Sequence, residues 1–257
     1  MQRANWFSQW FDTSFYHSLY ANRNEEEARK FVNELLSELN PPPSSRMLDL
    51  GCGNGRHARQ LASKGYRVLG MDLAGSSIQE AKRYEHDHLY FLRHDMRRPF
   101  GVSRFDYIFN FFTSFGYFRT EKENDDVIFN IHEALKPGGY LLMDYMNWIY
   151  SEKRMVDKEE KEIDGILYQL TRWTTNSHFF KKIEINTESA TPYEYTEQVE
   201  KFSLSDFYKL FGKAGLTIEK VYGDYELGSF DSQTSPRMIM VVRRKKDALL
   251  NPWQTMF

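Results

Sequence analysis

Residues 48–57, Leu48-Asp49-Leu50-Gly51-Cys52-Gly53-Asn54-Gly55-Arg56-His57, join an apolar run to three closely spaced glycines and then to a helical pattern. They read as a buried strand that enters a glycine loop and opens a helix. Glycine tolerates positive φ and lets a ligand approach bare backbone, while a helix N-terminus presents unpaired N–H groups. An anionic group is the expected guest, although a tight turn with no ligand would satisfy the same pattern.

On either side of this loop, apolar runs alternate with helical patterns from Met47 to Met146. Strands are expected at Met47–Leu50, Arg67–Leu73, Leu89–Met96, Phe105–Phe112 and Tyr140–Met146, and helices near Arg56–Ser63, Ser77–Tyr84 and Lys122–Leu135. Such alternation predicts a parallel sheet covered on both faces. Gly65 marks a helix end, Ser77 with Glu80 matches a capping box, and Lys136-Pro137-Gly138-Gly139 reads as a turn that launches a strand.

Before this core, residues 24–39 carry Ala28, Phe31, Val32, Leu35, Leu36 and Leu39 at helical spacing, with Asn24 as a cap and Glu25, Glu26 and Glu27 in the first turn. Three prolines at 41–43 stop that helix. Beyond the core, the charged stretch Glu152–Asp164 precedes alternating segments at Ile166–Trp173, Phe179–Ile185 and Tyr195–Phe202, which read as antiparallel strands with one buried face. A helix at Ser205–Phe211, capped by Ser205 and ended by Gly212 or Gly215, and strands at Leu216–Gly223 and Arg237–Arg243 then resume the α/β pattern. The expected organisation is a helical cap over 1–45, an α/β core over 46–150, an antiparallel insertion over 151–202 serving as substrate lid or subunit contact, and completion of the core over 203–257.

Composition narrows the function. A net charge of −2, with both signs dispersed along the chain, gives no bulk attraction to nucleic acid or an anionic membrane, so a small or neutral partner fits better. The single cysteine, Cys52, cannot form an intrachain disulfide, and no segment approaches the ~18–20 apolar residues of a membrane span, so a cytoplasmic setting is expected. The aromatics Trp6, Phe7, Trp10, Phe11, Phe15, Tyr16 and Tyr20 lie outside the regular core pattern; they are packing or a lid over a ligand.

Spacing selects among ligands. A dinucleotide fingerprint places its third glycine where Arg56 stands here, which argues against NAD. The second strand ends in Gly70-Met71-Asp72, and a carboxylate about twenty residues beyond the glycines can accept from both ribose hydroxyls; a helix cap is the alternative for Asp72. Asp95 and Met96 end the third strand, at the carboxyl edge where open α/β sheets bind ligands, suited to an exocyclic amine and an adenine face. Asn110 closes the fourth strand beside Thr113 and Ser114, polar groups among aromatics, with satisfied burial as the alternative.

Taken in order, LDLGCGNGRH, the acid of GMDL, HDM, NFFTSFGYF and LKPGGYLLMDYMN resemble the class I S-adenosylmethionine-dependent methyltransferases over residues 46–147. The TSFGYF segment is similar to that of bacterial small-molecule members. The resemblance implies a Rossmann-like, doubly wound, mostly parallel seven-stranded sheet with a small antiparallel β insertion, the last strand lying between its neighbours. It implies S-adenosylmethionine as cofactor, with Gly51 and Gly53 at its methionine portion, Asp49 near the ammonium, Asp72 on the ribose, Leu73 beside the adenosine, Asp95 and Met96 flanking adenine, and Asn110 along the amino-acid tail. Acceptor contacts are expected among Tyr16, Tyr20, Arg23, Thr113, Tyr117, Asn147 and Arg237. No residue is compelled to be catalytic; His57, in the first turn of its helix, is expected to pack or cap. The histidines show no metal spacing, so no metal is expected. A small-molecule acceptor is the reading, a homodimer is compatible with it, and the competitors are a non-catalytic S-adenosylmethionine-binding module and a nucleotide-dependent oxidoreductase.

Overall fold

The computed structural model describes residues 6–20, 25–187 and 191–246. Arg23 and Asn24, the expected acceptor contact and helix cap, lie outside the described residues. In chain order the elements are α1 Trp6–Trp10, α2 Ser14–Leu19, α3 Glu25–Leu39, β1 Arg46–Leu50, α4 Arg56–Ser63, β2 Arg67–Asp72, α5 Gly75–Ala81, β3 Leu89–Arg93, β4 Phe105–Asn110, α6 Glu121–Ala134 and β5 Leu135–Met146. There follow α7 Trp148–Lys153, β6 Lys158–Ile163, β7 Ile166–Thr174, β8 His178–Asn186, β9 Tyr193–Glu200, α8 Leu204–Lys213, β10 Leu216–Tyr222 and β11 Arg237–Arg244.

Among the described residues, seven strands form one sheet in the order β10-β11-β5-β4-β1-β2-β3. Six run in the same direction, and β11 runs against them, pairing antiparallel with both β5 and β10. The chain reverses direction of winding between β1 and β4, the crevice where such sheets bind ligands. Burial explains the near-continuous apolar runs: on β1, Met47 packs with α3, α4 and α5, whereas Leu48 and Leu50 pack with α6 and α8. No helix among the described residues is long and apolar enough to cross a membrane.

The insertion is a second sheet, β6-β7-β8-β9, wholly antiparallel. It has four strands where the periodicity indicated three, because β6 (Lys-Glu-Glu-Lys-Glu-Ile) is an edge strand wet on most positions and carries no apolar alternation. Charged edges of this kind block further strand addition. The buried face of the insertion, Tyr168, Leu170, Ile183 and Ile185, packs with Trp10 and Leu19. The helices ahead of the main sheet therefore divide between two partners: α1 and α2 go largely with the insertion, and α3 covers the main sheet.

Three local expectations are corrected. The helix after β2 starts at Gly75, so Ser77 lies within it and forms no capping box; its early amides are met by Asp72 and by Asp12, whose carboxylate accepts from Ser76 N at 2.6 Å. The cap of α8 is Ser203, in a capping box with Asp206, in place of Ser205. Lys136–Gly139 does not precede the fifth strand but bulges within it, where the register with β4 shifts between Phe105 and Tyr107.

Candidate functional site

A cavity of about 580 Å³ opens over the carboxyl ends of β1, β2 and β4, floored by the glycine loop and walled by α1, α2 and the loop after β4. Its lining includes Gly51, Gly53, Asp72, Leu73, Asp95, Met96, Tyr16, Tyr20 and Tyr117. These nine expected site residues are thus brought to one place.

The loop's conformation follows from its glycines. Gly51, Gly53 and Gly55 all take positive φ. A Cβ at Gly51 would stand 2.6 Å from Ser114 Cβ, and one at Gly55 would stand 2.4 Å from the Phe91 ring. Gly55 therefore supplies the close packing that a dinucleotide loop assigns to the next position, and Arg56 is left to lie over the Phe112 ring at 5.0 Å. A Cβ at Gly53 would meet nothing within 4 Å, which makes that position an open cradle facing the cavity.

The loop does not form a nest of vacant amides. Gly51 N and Cys52 N donate to Met71 O at 2.7 and 3.0 Å, and Gly55 N donates to Cys52 O at 3.0 Å. Gly53 N donates to Asp72 Oδ2 at 2.8 Å. These four donors are spent inside the protein, so an anionic guest would have to be met by other groups of the cavity, where the Asp72 carboxylate and the Arg56 guanidinium both stand. Asp72 also accepts from Ala74 N at 2.8 Å, so it both ties the loop to β2 and caps α5. Burial raises its carboxyl above the ordinary range against the pull of those amides.

Asp49 and Asn110 lie under the floor and not on the cavity wall. Asp49 is 1% exposed and neither carboxylate oxygen has a hydrogen-bond partner. Desolvation pushes its pKa up to about 7 against the pull of the Ala58 backbone amide, which faces it without a well-formed hydrogen bond, with the charge of Asp72 adding to the shift and that of Arg56 opposing it. Asn110 Nδ2 donates to Leu50 O at 2.7 Å, and its Oδ1 has no partner. A buried carboxylate that the Ala58 amide meets only loosely is costly, and a cation delivered just above it would offset that cost.

The third-strand acid is engaged. Asp95 holds Arg97 through both oxygens, at 2.7 Å for the closest contact, and Arg97 reaches on to Glu123. Burial would raise the Asp95 carboxyl, but Arg97 outweighs it and holds it below the usual range. His57 lines the cavity with its ring centroid 4.4 Å from that of Phe111, the packing role expected of it.

Three expected acceptor contacts belong elsewhere. Thr113 and Arg237 join Asp144 in a buried knot: Arg237 Nε donates to Asp144 Oδ1 at 2.7 Å and its Nη2 to Thr113 Oγ1 at 3.0 Å. Asn147 Nδ2 donates to the carbonyls of Ser232 and Ser235 at 2.9 and 2.8 Å. All three are satisfied by the protein and none lines the cavity. Conversely, Ile163 and Asp164, at the first hairpin of the insertion, reach the cavity unannounced. The Asp164-Gly165 pair, both at positive φ, was the available signal, since that dipeptide favours two-residue hairpins. Among the described residues, no group of three His, Cys, Asp or Glu side chains could hold a metal.

Comparison with known proteins places this geometry in context. A family model described as "Methyltransferase domain" matches residues 47–139. A protein named as a methyltransferase in Geobacillus sp. (strain WCH70) is 26% identical over 93% of this chain and 98% of its own. The dTDP-3-amino-3,6-dideoxy-alpha-D-glucopyranose N,N-dimethyltransferase of Streptomyces fradiae is 24% identical over 71% of this chain and 74% of its own. A crystal structure of an S-adenosylmethionine-dependent methyltransferase from Clostridium acetobutylicum ATCC 824 superposes with a TM-score of 0.73 at 18% identity, covering 89% of this chain and 95% of that one, and so shares the fold.

Proposed function

We propose that the chain is a class I S-adenosylmethionine-dependent methyltransferase, as its methyltransferase-domain match and its relatives support, and that it methylates a small molecule held between the glycine loop and the aromatic roof. The observation that carries the reading is the junction of Gly53 with Asp72 on the floor of one cavity, beside a second desolvated carboxylate. Two acids and an open glycine suit a ligand that is cationic at one end and bears hydroxyls, and they repel a diphosphate. The net charge of −2 and a cavity of about 580 Å³ favour a small acceptor over nucleic acid. The Streptomyces fradiae relative is named for an amino sugar, so sugars and related metabolites are the first acceptors to try.

When bound, the cofactor supplies a methyl group already activated by a sulfonium. Gly51 and Gly53 give it room, Asp72 would accept from the ribose, and Leu73 and Met96 would lie against the adenosine. Asp95, already held by Arg97, keeps lone pairs for an adenine amine. Tyr16, Tyr20 and Tyr117 would orient the acceptor, and Ile163 and Asp164 put the insertion over it as a roof, which supports that role over a subunit contact. Holding two reactants in line can supply ~7–11 kcal/mol of the barrier. Calorimetry should give binding of S-adenosylmethionine and S-adenosylhomocysteine and none of NAD. Tight NAD binding without S-adenosylmethionine binding would overturn the reading.

Asp49 makes a pH prediction. Its folded pKa of about 7 lies above the ordinary value near 3.9, so its contribution to stability is full below pH ~4 and is lost as pH rises to about 7. The ligand-free protein should lose stability over that window, and Asp49→Asn should flatten the loss. A ligand ammonium favours the ionised form, so wild-type affinity for S-adenosylhomocysteine should climb between about pH 6 and 8 and climb less in Asp49→Asn. Parallel titration curves for the two proteins would remove Asp49 from this role.

A further inference from the structure

Behind the cavity wall stands a polar cluster that cofactor binding does not use. The Tyr20 hydroxyl donates to Glu197, 2.7 Å from Oε1 and 2.9 Å from Oε2. Trp10 Nε1 donates to the same Oε1 at 2.7 Å. The Lys181 ammonium lies 3.5 Å from Oε2 and donates to the Tyr20 oxygen. Lys181 and Glu197 are cross-strand partners on β8 and β9, so the sheet register fixes their pairing.

The cluster spans two spaces. Tyr20 lines the cavity that holds the glycine loop. Lys181 and Glu197 line a second cavity of about 490 Å³, where their side chains are 17% and 15% exposed. A hydroxyl on the reaction side is thereby connected to a carboxylate that water can reach.

We infer that Tyr20 takes the proton that a methyl acceptor must shed, while passing its own proton to Glu197. The inference rests on the small-molecule methyl transfer proposed above and deepens it. An amine or hydroxyl acceptor forms its new bond to carbon with a lone pair, and the carbon–sulfur pair departs on sulfur, leaving one surplus proton on the acceptor atom. That proton moves to the Tyr20 oxygen, the phenolic proton moves to Glu197, and Glu197 releases it to water in the second cavity. The ammonium of Lys181 offsets negative charge on the phenolic oxygen during the hand-over. The groups facing the relay are Lys181, Trp10 and the Tyr16 ring, 4.8 Å from that of Tyr20. Across the second cavity Arg172 and Glu159 pair with each other at 2.6 Å, beside Arg154. Tyr20 is thus the catalytic residue and Glu197 the proton sink acting through it.

Tyr20→Phe removes the hydroxyl and keeps the ring; Glu197→Gln keeps an acceptor for Trp10 and cannot store the proton. Two measurements are made on the full chain: calorimetric affinity for S-adenosylhomocysteine, and single-turnover transfer of labelled methyl from S-adenosylmethionine to the deproteinised small-molecule fraction of bacterial cells. Both variants should bind S-adenosylhomocysteine as the wild type does and transfer methyl ~10²–10⁴-fold more slowly near pH 7. The deficit should narrow as pH rises, because the acceptor then arrives without its proton. Rates equal to wild type, a deficit independent of pH, or lost S-adenosylhomocysteine binding would each overturn the relay, the last two by reducing the cluster to a structural latch. A wild-type protein that binds S-adenosylhomocysteine but labels nothing in that fraction would instead overturn the small-molecule reading, and the relay with it.

Discussion

Arg237→Met is expected to lower the free energy of unfolding by about 3–5 kcal/mol, the usual cost of removing one partner from a buried ion pair. Asp144 is 0% exposed and lies in the middle of the main sheet's carboxyl edge. Its carboxylate takes Arg237 Nε and Nη2 at 2.7 and 2.6 Å, Phe112 N at 2.8 Å and Tyr225 OH at 3.3 Å. Without the guanidinium, an anion remains that neutral donors alone must satisfy. The loss would spread to the bend after β4, where Phe112 and Thr113 hold positive φ and Thr113 Oγ1 accepts from Met146 N. Urea unfolding of the ligand-free protein measures the effect, and adding Asp144→Leu should recover part of it, since an apolar pair of similar volume often replaces a buried ion pair without loss. The folded variant should keep its affinity for S-adenosylhomocysteine. A stability change under ~1 kcal/mol together with lost acceptor methylation would return Arg237 to the substrate site.

Asp72→Ala should weaken S-adenosylhomocysteine binding by at least tenfold. Charge-assisted hydrogen bonds are worth ~1.5–3 kcal/mol each, and a carboxylate facing two ribose hydroxyls loses a pair of them. A second loss compounds the first, because Gly53 N and Ala74 N would be left without the acceptor that sets the loop against β2. Asp72→Asn separates the two contributions: an amide oxygen can still receive one backbone N–H, so its affinity should fall between those of the wild type and the alanine variant. Calorimetry on folded protein checks this, and an unchanged affinity in Asp72→Ala would remove the residue from the site.

How much of this was legible beforehand depends on whether a feature is local. The strand, glycine loop and helix of residues 47–63 follow from short-range pattern, and α4 begins and ends where the periodicity indicates, Arg56 and Ser63. The sheet order is implied by alternation and by the resemblance. The strand Lys158–Ile163 was illegible because five of its six residues are charged and most are wet on an edge, with only Ile163 of the strand packing against the insertion's core. Thr113, Asn147 and Arg237 looked functional because they stand at the carboxyl edge of a sheet that binds ligands there. Asp144, an acid inside the apolar run Leu141–Met146, redirected Thr113 and Arg237, because a charge in a buried strand needs a countercharge, whereas Asn147 is taken up by the carbonyls of Ser232 and Ser235. Glu197 had no sequence signal at all: it sits in an alternating strand and acquires meaning only when Trp10 and Tyr20, far away in the chain, fold over it.

That last contact sets an order of events during synthesis. Trp10 and Glu197 are 187 positions apart, so the aromatic helices leave the ribosome long before their docking sheet exists. Until β9 has been translated, Trp10 and Leu19 lack the surface that shields them in the finished molecule. The nascent chain can assemble its cofactor floor early, yet it stays open at the top, with its aromatic helices adhesive, until β9 has emerged, the interval in which a chaperone would be most needed.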